Sequence, residues 1–242
     1  CMWLQDIMMD YEILDNTHIR ILGCNGATGT QASFVELLGR DKVPELNRII
    51  THMLCDDETE YLPISGQTYT RKIDSVILDI LSNIAQSLCK MCNDIRLLQG
   101  MHEVCEPFSS KQVGSSAMAY KQNPIKCENV CSLSRHIISN TMTAKMNTCT
   151  QWLERSLDDS ANRRISLPEA FLAIDGILTL YINIVKGGRI YPGMMKRHLD
   201  EEMPFMATEN IMMDAVKKGG NRQELHERIR ELSMEAGRNV KV

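Results

Sequence analysis

The stretch KIDSVILDILSNIAQSLCKMCNDIRLLQGMHEV, residues 72–104, decides the fold. Ile73, Ile77, Ile80, Ile84, Leu88, Met91, Ile95 and Leu98 recur every three or four residues without a break, the period of one helix face. Read through to Val104, the pattern predicts a rod of roughly 30 residues, on the order of 45–50 Å at 1.5 Å per residue. A single globular core rarely needs so long a helix, whereas bundles and oligomeric assemblies do.

Working outward, the flanks are helical too. Leu4, Ile7, Met8, Tyr11 and Leu14 share a face over residues 2–15. GCNGATGTQ (23–31) is an irregular loop. It is either a turn between helices or a place where backbone N–H groups face an anion, and it lacks the Gly-Lys-Ser/Thr ending of a nucleotide loop. Residues 33–55 read as mixed helix, and GQTYTRK (66–72) precedes the rod. After it comes GSSAMAYKQNP (114–124), in which Asn123 suits a helix N-cap and Pro124 the first turn. Val130, Leu133, Ile137, Met142 and Met146 then carry a helix to about Arg155. RSLDDSANRR reads as a polar loop, and Ser166, Pro168 and Glu169 as a new helix start resembling a capping box. Phe171, Ile174, Leu178, Tyr181 and Ile184 form that helix's apolar face, and Gly187-Gly188 stops it. Tyr191-Pro192 marks a boundary. Short helices are expected at 193–201, at 209–218 behind Thr208, and at 222–238, the last charge-rich. No segment alternates with period two long enough for a strand. The expectation is an all-α chain with a helical bundle domain at 1–190 and a smaller helical C-terminal domain starting at 191–242.

Composition narrows the function. The net charge of −4 argues against a general nucleic-acid binder. No run of about 18 apolar residues is present, so no membrane span is expected. The first ten residues lack a basic leader, and they begin at Cys1 inside a helical pattern, as a piece of a longer protein would. Nine scattered cysteines read as reduced thiols of a cytoplasmic protein. Cys89-x-x-Cys92 and the pair Cys127 and Cys131 sit on helical stripes, so packing is favoured over metal binding.

Three polar clusters interrupt the helices: GQTYTRK, GSSAMAYKQNP and ERSLDDSANRR. The last places Arg155, Arg163 and Arg164 beside Ser160 and Asn162. Three guanidinium groups suit a phosphate or dicarboxylate, or else pair internally with Asp158 and Asp159. The central loop is either a flexible connection or a site. A serine needs a base or a stabilised oxyanion to react, and Lys121 with the N-terminus of the next helix offers a positive field.

GSSAMAYKQNP resembles the signature loop of the fumarase/aspartase superfamily. Within it, GATGTQASF, GQTYTRK, SLSRH, QWLERSLDDSANRR and MPFMATEN resemble the adenylosuccinate lyase family along essentially the whole chain. The resemblance implies a long-helix bundle of the fumarase/aspartase type, truncated, with four copies building shared active sites. It implies elimination of fumarate from adenylosuccinate and from the succinylated aminoimidazole carboxamide ribotide, with no metal, no cofactor, no nucleic acid and no membrane. Motif by motif, Ser115 matches the catalytic base. Lys121 and Asn123 match groups that hold the succinyl carboxylate, and Glu128 matches a carboxylate orienting the acid histidine. Gln67 contacts substrate, and Arg155, Ser160 and Arg164 grip the nucleotide phosphate. Three positions depart: Ala119 replaces a proline and is expected to loosen the loop, Gln122 replaces a basic residue, and Asn129 replaces a substrate-binding arginine. The acid histidine belongs to a Thr-His motif expected before residue 1, and His136 is expected to be packed rather than catalytic. The 242 residues alone are therefore expected to be inactive. Two alternatives are a truncated non-catalytic scaffold and another superfamily lyase such as argininosuccinate lyase, against which LDDSANRR and GQTYTRK argue.

Overall fold

The computed structural model describes residues 1–240 except 57, 58, 110, 111, 113 and 119, with backbone alone at 240. Among the described residues the chain is all-α apart from two two-residue strands, β1 (Val104–Cys105) and β2 (Arg189–Ile190), which pair with each other, and an isolated bridge between Ile21 and Tyr61. It divides into two compact units: residues 1–100 with 105–189, and residues 101–104 with 190–242.

The first unit holds α1 (Met2–Asp15), α2 (Ala32–Leu38), α3 (Val43–Leu54), α4 (Lys72–Gly100), α5 (Ile125–Thr150) and α6 (Asp159–Gly187). The rod is α4, which ends at Gly100 rather than Val104 and is about 43 Å long at 1.5 Å per residue. It runs antiparallel to α5. Gln99 bonds Gln122 at one end, Cys131 bonds the Cys89 carbonyl midway, and Thr148 bonds the Arg71 carbonyl at the other end.

The buried seam of α4 is Asp74, Leu78, Leu81, Ala85, Leu88, Cys92, Ile95 and Gln99, alternating steps of four and three as in a coiled coil. Of the expected face, Ile80, Leu88, Met91 and Ile95 are buried as read. Ile73, Ile77, Ile84 and Leu98 are half-buried beside the seam. Small side chains take the centre because α5 approaches there, with Cys127, Val130, Ser134, Ile137, Thr141 and Ala144 in the same three-four rhythm. Of the expected apolar face of α5, Val130 and Ile137 are buried, while Leu133, Met142 and Met146 point outward.

α6 replaces the expected loop and second start. The helix begins at Asp159 and passes through Ser166 and Pro168 without a break, so no capping box forms there. Pro168 has no N–H to return to the carbonyl four residues back. Close to the proline, Asn140 Nδ2 donates to the Ser166 carbonyl at 2.6 Å and ties α5 to α6. Ala170, Ile174, Ile177 and Ile184 face inward, while Phe171, Leu172, Leu178, Ile182 and Val185 are exposed. Among the described residues, α6 alone is long and apolar enough to cross a membrane by length and composition. Counting uninterrupted apolar runs missed it because Glu169 and Asp175 break the run.

The second unit holds α7 (Pro192–Met206), α8 (Thr208–Lys217) and α9 (Arg222–Val240). His198 Nδ1 meets Glu103 Oε1 at 2.6 Å, fastening residues 101–104 to α7. Thr208 begins α8 without capping it, since its hydroxyl donates to the Phe205 carbonyl. Met212 is the one buried apolar side chain of this unit among the described residues.

Candidate active site

Two polar clusters stand at opposite ends of α5. At its C-terminal end three loops pack in series. A Cβ on Gly29 would overlap the carbonyl oxygens of Ser65 and Gly66, and one on Gly66 would come within 2.8 Å of the Glu154 carbonyl. Only glycine permits these approaches. The consequence is that Arg155 Nη1 reaches Gln67 Oε1 at 2.6 Å, although 88 residues separate them. A cleft of about 580 Å³ opens here, lined by Gln67 and residues 152–157.

Beneath it lies a buried charge network that holds the loops. Arg71 pairs with Asp159, and both are nearly fully buried. Arg163 Nε donates to Asp74 Oδ2 at 2.5 Å and also bonds the Tyr69 hydroxyl, itself bonded to Asp74. Burial opposes the Arg163 charge, yet Asp74 raises its pKa above the ordinary value. Burial first, then the hydrogen bond and charge of Asp74, raise that of Tyr69. Asp159 Oδ1 is buried without a partner among the described residues.

The arginine cluster is therefore split by helix geometry. In DSANRR, residues 159 and 163 face inward as an ion pair, and residues 160 and 164 lie one turn apart on the other side. The internal-pairing reading holds for Arg163, which pairs with Asp74 and Asp159. Arg163 is structural, Arg155 and Arg164 are exposed, and Ser160 is half-buried.

At the N-terminal end of α5 lies the serine loop. Ser115 Oγ accepts the backbone N–H groups of Ala117 at 3.3 Å and Met118 at 3.1 Å. Asn123 does not cap α5. Its Nδ2 donates to the Gly114 carbonyl at 2.8 Å, and the helix starts at Ile125. A Cβ on Gly114 would collide with the Lys121 carbonyl oxygen, so the loop closes on itself at this glycine. Lys121 is exposed, as are Glu128 and Asn129 on the first turn and a half of α5. Ala119 lies outside the described residues, while Gln122 gives its carbonyl to Gln99.

The helix N-terminus is not free for an anion, contrary to expectation. Pro124 has no N–H, Ile125 donates to the Asn123 carbonyl, and Glu106 takes the N–H groups of Lys126 and Cys127. Sequence reasoning missed Glu106 entirely. The signal available was one acidic residue in CEPF between two helical segments. It also missed Arg71, Asp74 and Tyr69, whose partners are up to 94 residues away.

Ser115, Lys121, Asn123, Glu128 and Asn129 thus gather at one end of a 26-residue helix, and Gln67, Arg155, Ser160 and Arg164 at the other. At 1.5 Å per residue the ends are about 39 Å apart. His136 lies between them, half-exposed, 3.5 Å from Glu169. Cys92, Cys127 and Cys131 are buried in the α4–α5 seam. Burial and the neighbouring Cys89 push the Cys131 thiol up to about 11.

The adenylosuccinate lyase C-terminus family model matches residues 204–242, and the lyase family model matches residues 58–139. The chain is 48% identical to adenylosuccinate lyase of Schistosoma mansoni over 100% of its own length and 51% of that protein. It is 48% identical to the Saccharomyces cerevisiae enzyme, covering 99% and 50%. It is 36% identical to that of Pyrococcus abyssi, covering 97% and 51%. It thus spans about half the length of these curated relatives. In fold it matches a fumarate lyase from Mesorhizobium sp. BNC1 with a TM-score of 0.79 at 20% identity, covering 98% of this chain and 51% of that one. A 3-carboxy-cis,cis-muconate lactonizing enzyme from Pseudomonas putida matches with the same score and identity, covering 97% and 50%. With fold, motifs and sequence agreeing from one end to the other, the chain belongs to the adenylosuccinate lyase family.

Proposed function

We propose that these residues form part of an adenylosuccinate lyase, a cytoplasmic enzyme that eliminates fumarate from adenylosuccinate and from the succinylated aminoimidazole carboxamide ribotide. Ser115 removes the proton from the carbon beside a substrate carboxylate. The electron pair left on carbon forms the new double bond as the carbon–nitrogen bond breaks. A histidine outside these residues, oriented by Glu128, protonates the departing nitrogen. Lys121 and Asn123 hold the succinyl end, and Gln67, Arg155, Ser160 and Arg164 hold the nucleotide end. Ser115 Oγ accepts two backbone N–H groups, which favours its anionic form and so supports its role as base.

The observation that carries this proposal is the separation of the two ends. One nucleotide cannot touch Ser115 and Arg155 of the same chain across about 39 Å of helix. Each site therefore joins the serine end of one copy to the arginine end of another. The exposed apolar residues of α5 and α6, Met142, Met146, Phe171, Leu172, Leu178 and Ile182, are the surfaces such copies would cover. A homotetramer with a central bundle over 1–190 and a C-terminal helical domain starting at 191 accommodates this. Replacing Ser115 by Ala in the full-length polypeptide abolishes fumarate release while leaving substrate binding intact; undiminished release would sink the assignment. The 242 residues expressed alone release no fumarate, for want of the histidine.

Asn129 favours a second reading, a scaffold without catalysis, because an amide cannot offer the charged fork of an arginine. Turnover by the full-length polypeptide excludes it.

A further inference from the structure

The feet of the serine loop carry an arrangement that the proposed chemistry does not use. Glu106 is 1% exposed, and its two carboxylate oxygens accept the N–H groups of Lys126 and Cys127 at 3.0 and 2.9 Å. Its own N–H donates to Gln99 Oε1 at 3.0 Å. Gln99, buried on the last turn of α4, turns its Nε2 to the Gln122 carbonyl at 2.8 Å. Lys126 Nζ reaches back to the Pro107 carbonyl at 2.6 Å. The start of the loop at 106–107 and its end at 122–127 are thus tied through two buried side chains. One amide group, that of Gln99, bridges both feet. The tip is held by weaker means: the Asn123 bond to Gly114, one turn from Lys121 N–H to the Met118 carbonyl, and the longer bonds to Ser115 Oγ.

We infer that Gln99 and Glu106 form a buried clasp that sets the register of the loop and so the position of Ser115, acting as positioning residues without touching substrate. Each group in the clasp is both buried and satisfied, so removing one leaves a partner stranded at a cost well above that of a surface bond. The Glu106 charge is balanced by the helix N-terminus, whose free N–H groups it consumes. The clasp therefore fixes where α5 begins, and with it the distance from the loop tip to the helix. The link to catalysis rests on Ser115 being the base.

Hydrogen exchange on the full chain tests the clasp directly. Gln99→Met keeps the volume and removes both amide bonds. The amides of Gly114, Ser115, Ala117 and Met118 are expected to exchange about tenfold faster, the loss of two neutral hydrogen bonds. The amides of Gln67 and Tyr69, at the far end of α4, are expected to be unchanged. Unaltered exchange in the serine loop, or an equal rise at both ends, overturns the clasp. Glu106→Gln retains one acceptor and is expected to fall between wild type and Glu106→Leu; equal exchange in the two variants overturns it as well. Should Glu106→Leu fail to fold, Gln99→Met still decides. In the full-length enzyme Gln99→Met is expected to lower kcat about tenfold with KM within about twofold, since binding at the arginine end is untouched. A raised KM with unchanged kcat contradicts positioning. The base assignment fails separately, if Ser115→Ala keeps its turnover whatever the exchange rates are.

Discussion

The two ends of the α4–α5 pair bury charge in opposite ways. At the serine end a lone carboxylate, Glu106, is satisfied by the backbone N–H groups of Lys126 and Cys127, with no guanidinium in the set. At the arginine end Asp74 and Asp159 are paired with Arg163 and Arg71. The first arrangement leaves an exposed lysine, Lys121, on the serine loop. The second spends two arginines on structure and leaves two exposed, Arg155 and Arg164. In the proposed chemistry a lysine point charge serves the serine end, and planar guanidinium forks serve the phosphate end. The difference teaches that one cluster of charged residues holds both scaffold and candidate site, and that burial separates them.

The comparison breaks most severely at the network. Arg71→Leu strands Asp159 in the interior and is expected to cost about 3–5 kcal/mol, read as a lowered midpoint in denaturant. A loss below about 1 kcal/mol would place this pair with ordinary surface bridges. Arg155→Ala should leave the midpoint nearly unchanged and raise KM about thirtyfold, from loss of a charge-assisted contact. If it unfolds the protein instead, the division between scaffold and site is wrong. Asn129→Arg restores a charged fork at the serine end and should lower KM up to about tenfold. A KM that does not move counts against a substrate contact there.

The smallest effect is at the surface. The hydrogen bonds from Lys90 and Trp3 hold the Asp94 carboxyl below the usual carboxylate range. Its folded pKa is thus lower than its unfolded one. Its contribution is complete above the ordinary carboxylate range and is lost as pH falls through the depressed value. Asp94→Asn should cost under about 1 kcal/mol at neutral pH, and the difference from wild type should vanish in acid. A difference that grows in acid would reverse the sign.

Much of this was legible in the sequence, and the errors have a common cause. The length of α4 and its place in a bundle follow from periodicity, because isoleucines mark the helix even where they do not mark its seam. Leu88 and Ile95 lie on the seam as the periodicity reads, while Ala85 and Cys92 join it by being small enough for α5 to approach. LDDSANRR was taken for a loop because Ser166 and Pro168 imitate a helix start. Continued as a helix, its spacing alone separates residues 159 and 163 from residues 160 and 164. The clasp was beyond sequence reasoning, because Gln99, Glu106 and Gln122 meet only after two helices have turned back on each other. That Ser115 and Arg155 lie apart was legible from the 26 residues of α5 between them.

The central claim is that one site is built from the serine end of one copy and the arginine end of another. Full-length chains carrying Ser115→Ala, inactive, and full-length chains carrying Arg155→Ala, weak at substrate well below its raised KM, can be unfolded together, refolded as a mixture and assayed at that low substrate. Fumarate release from adenylosuccinate should return well above that of either variant, because some sites then combine an intact serine with an intact arginine. A mixture no more active than its parents would mean that both residues serve the same site from one chain, and would contradict the claim.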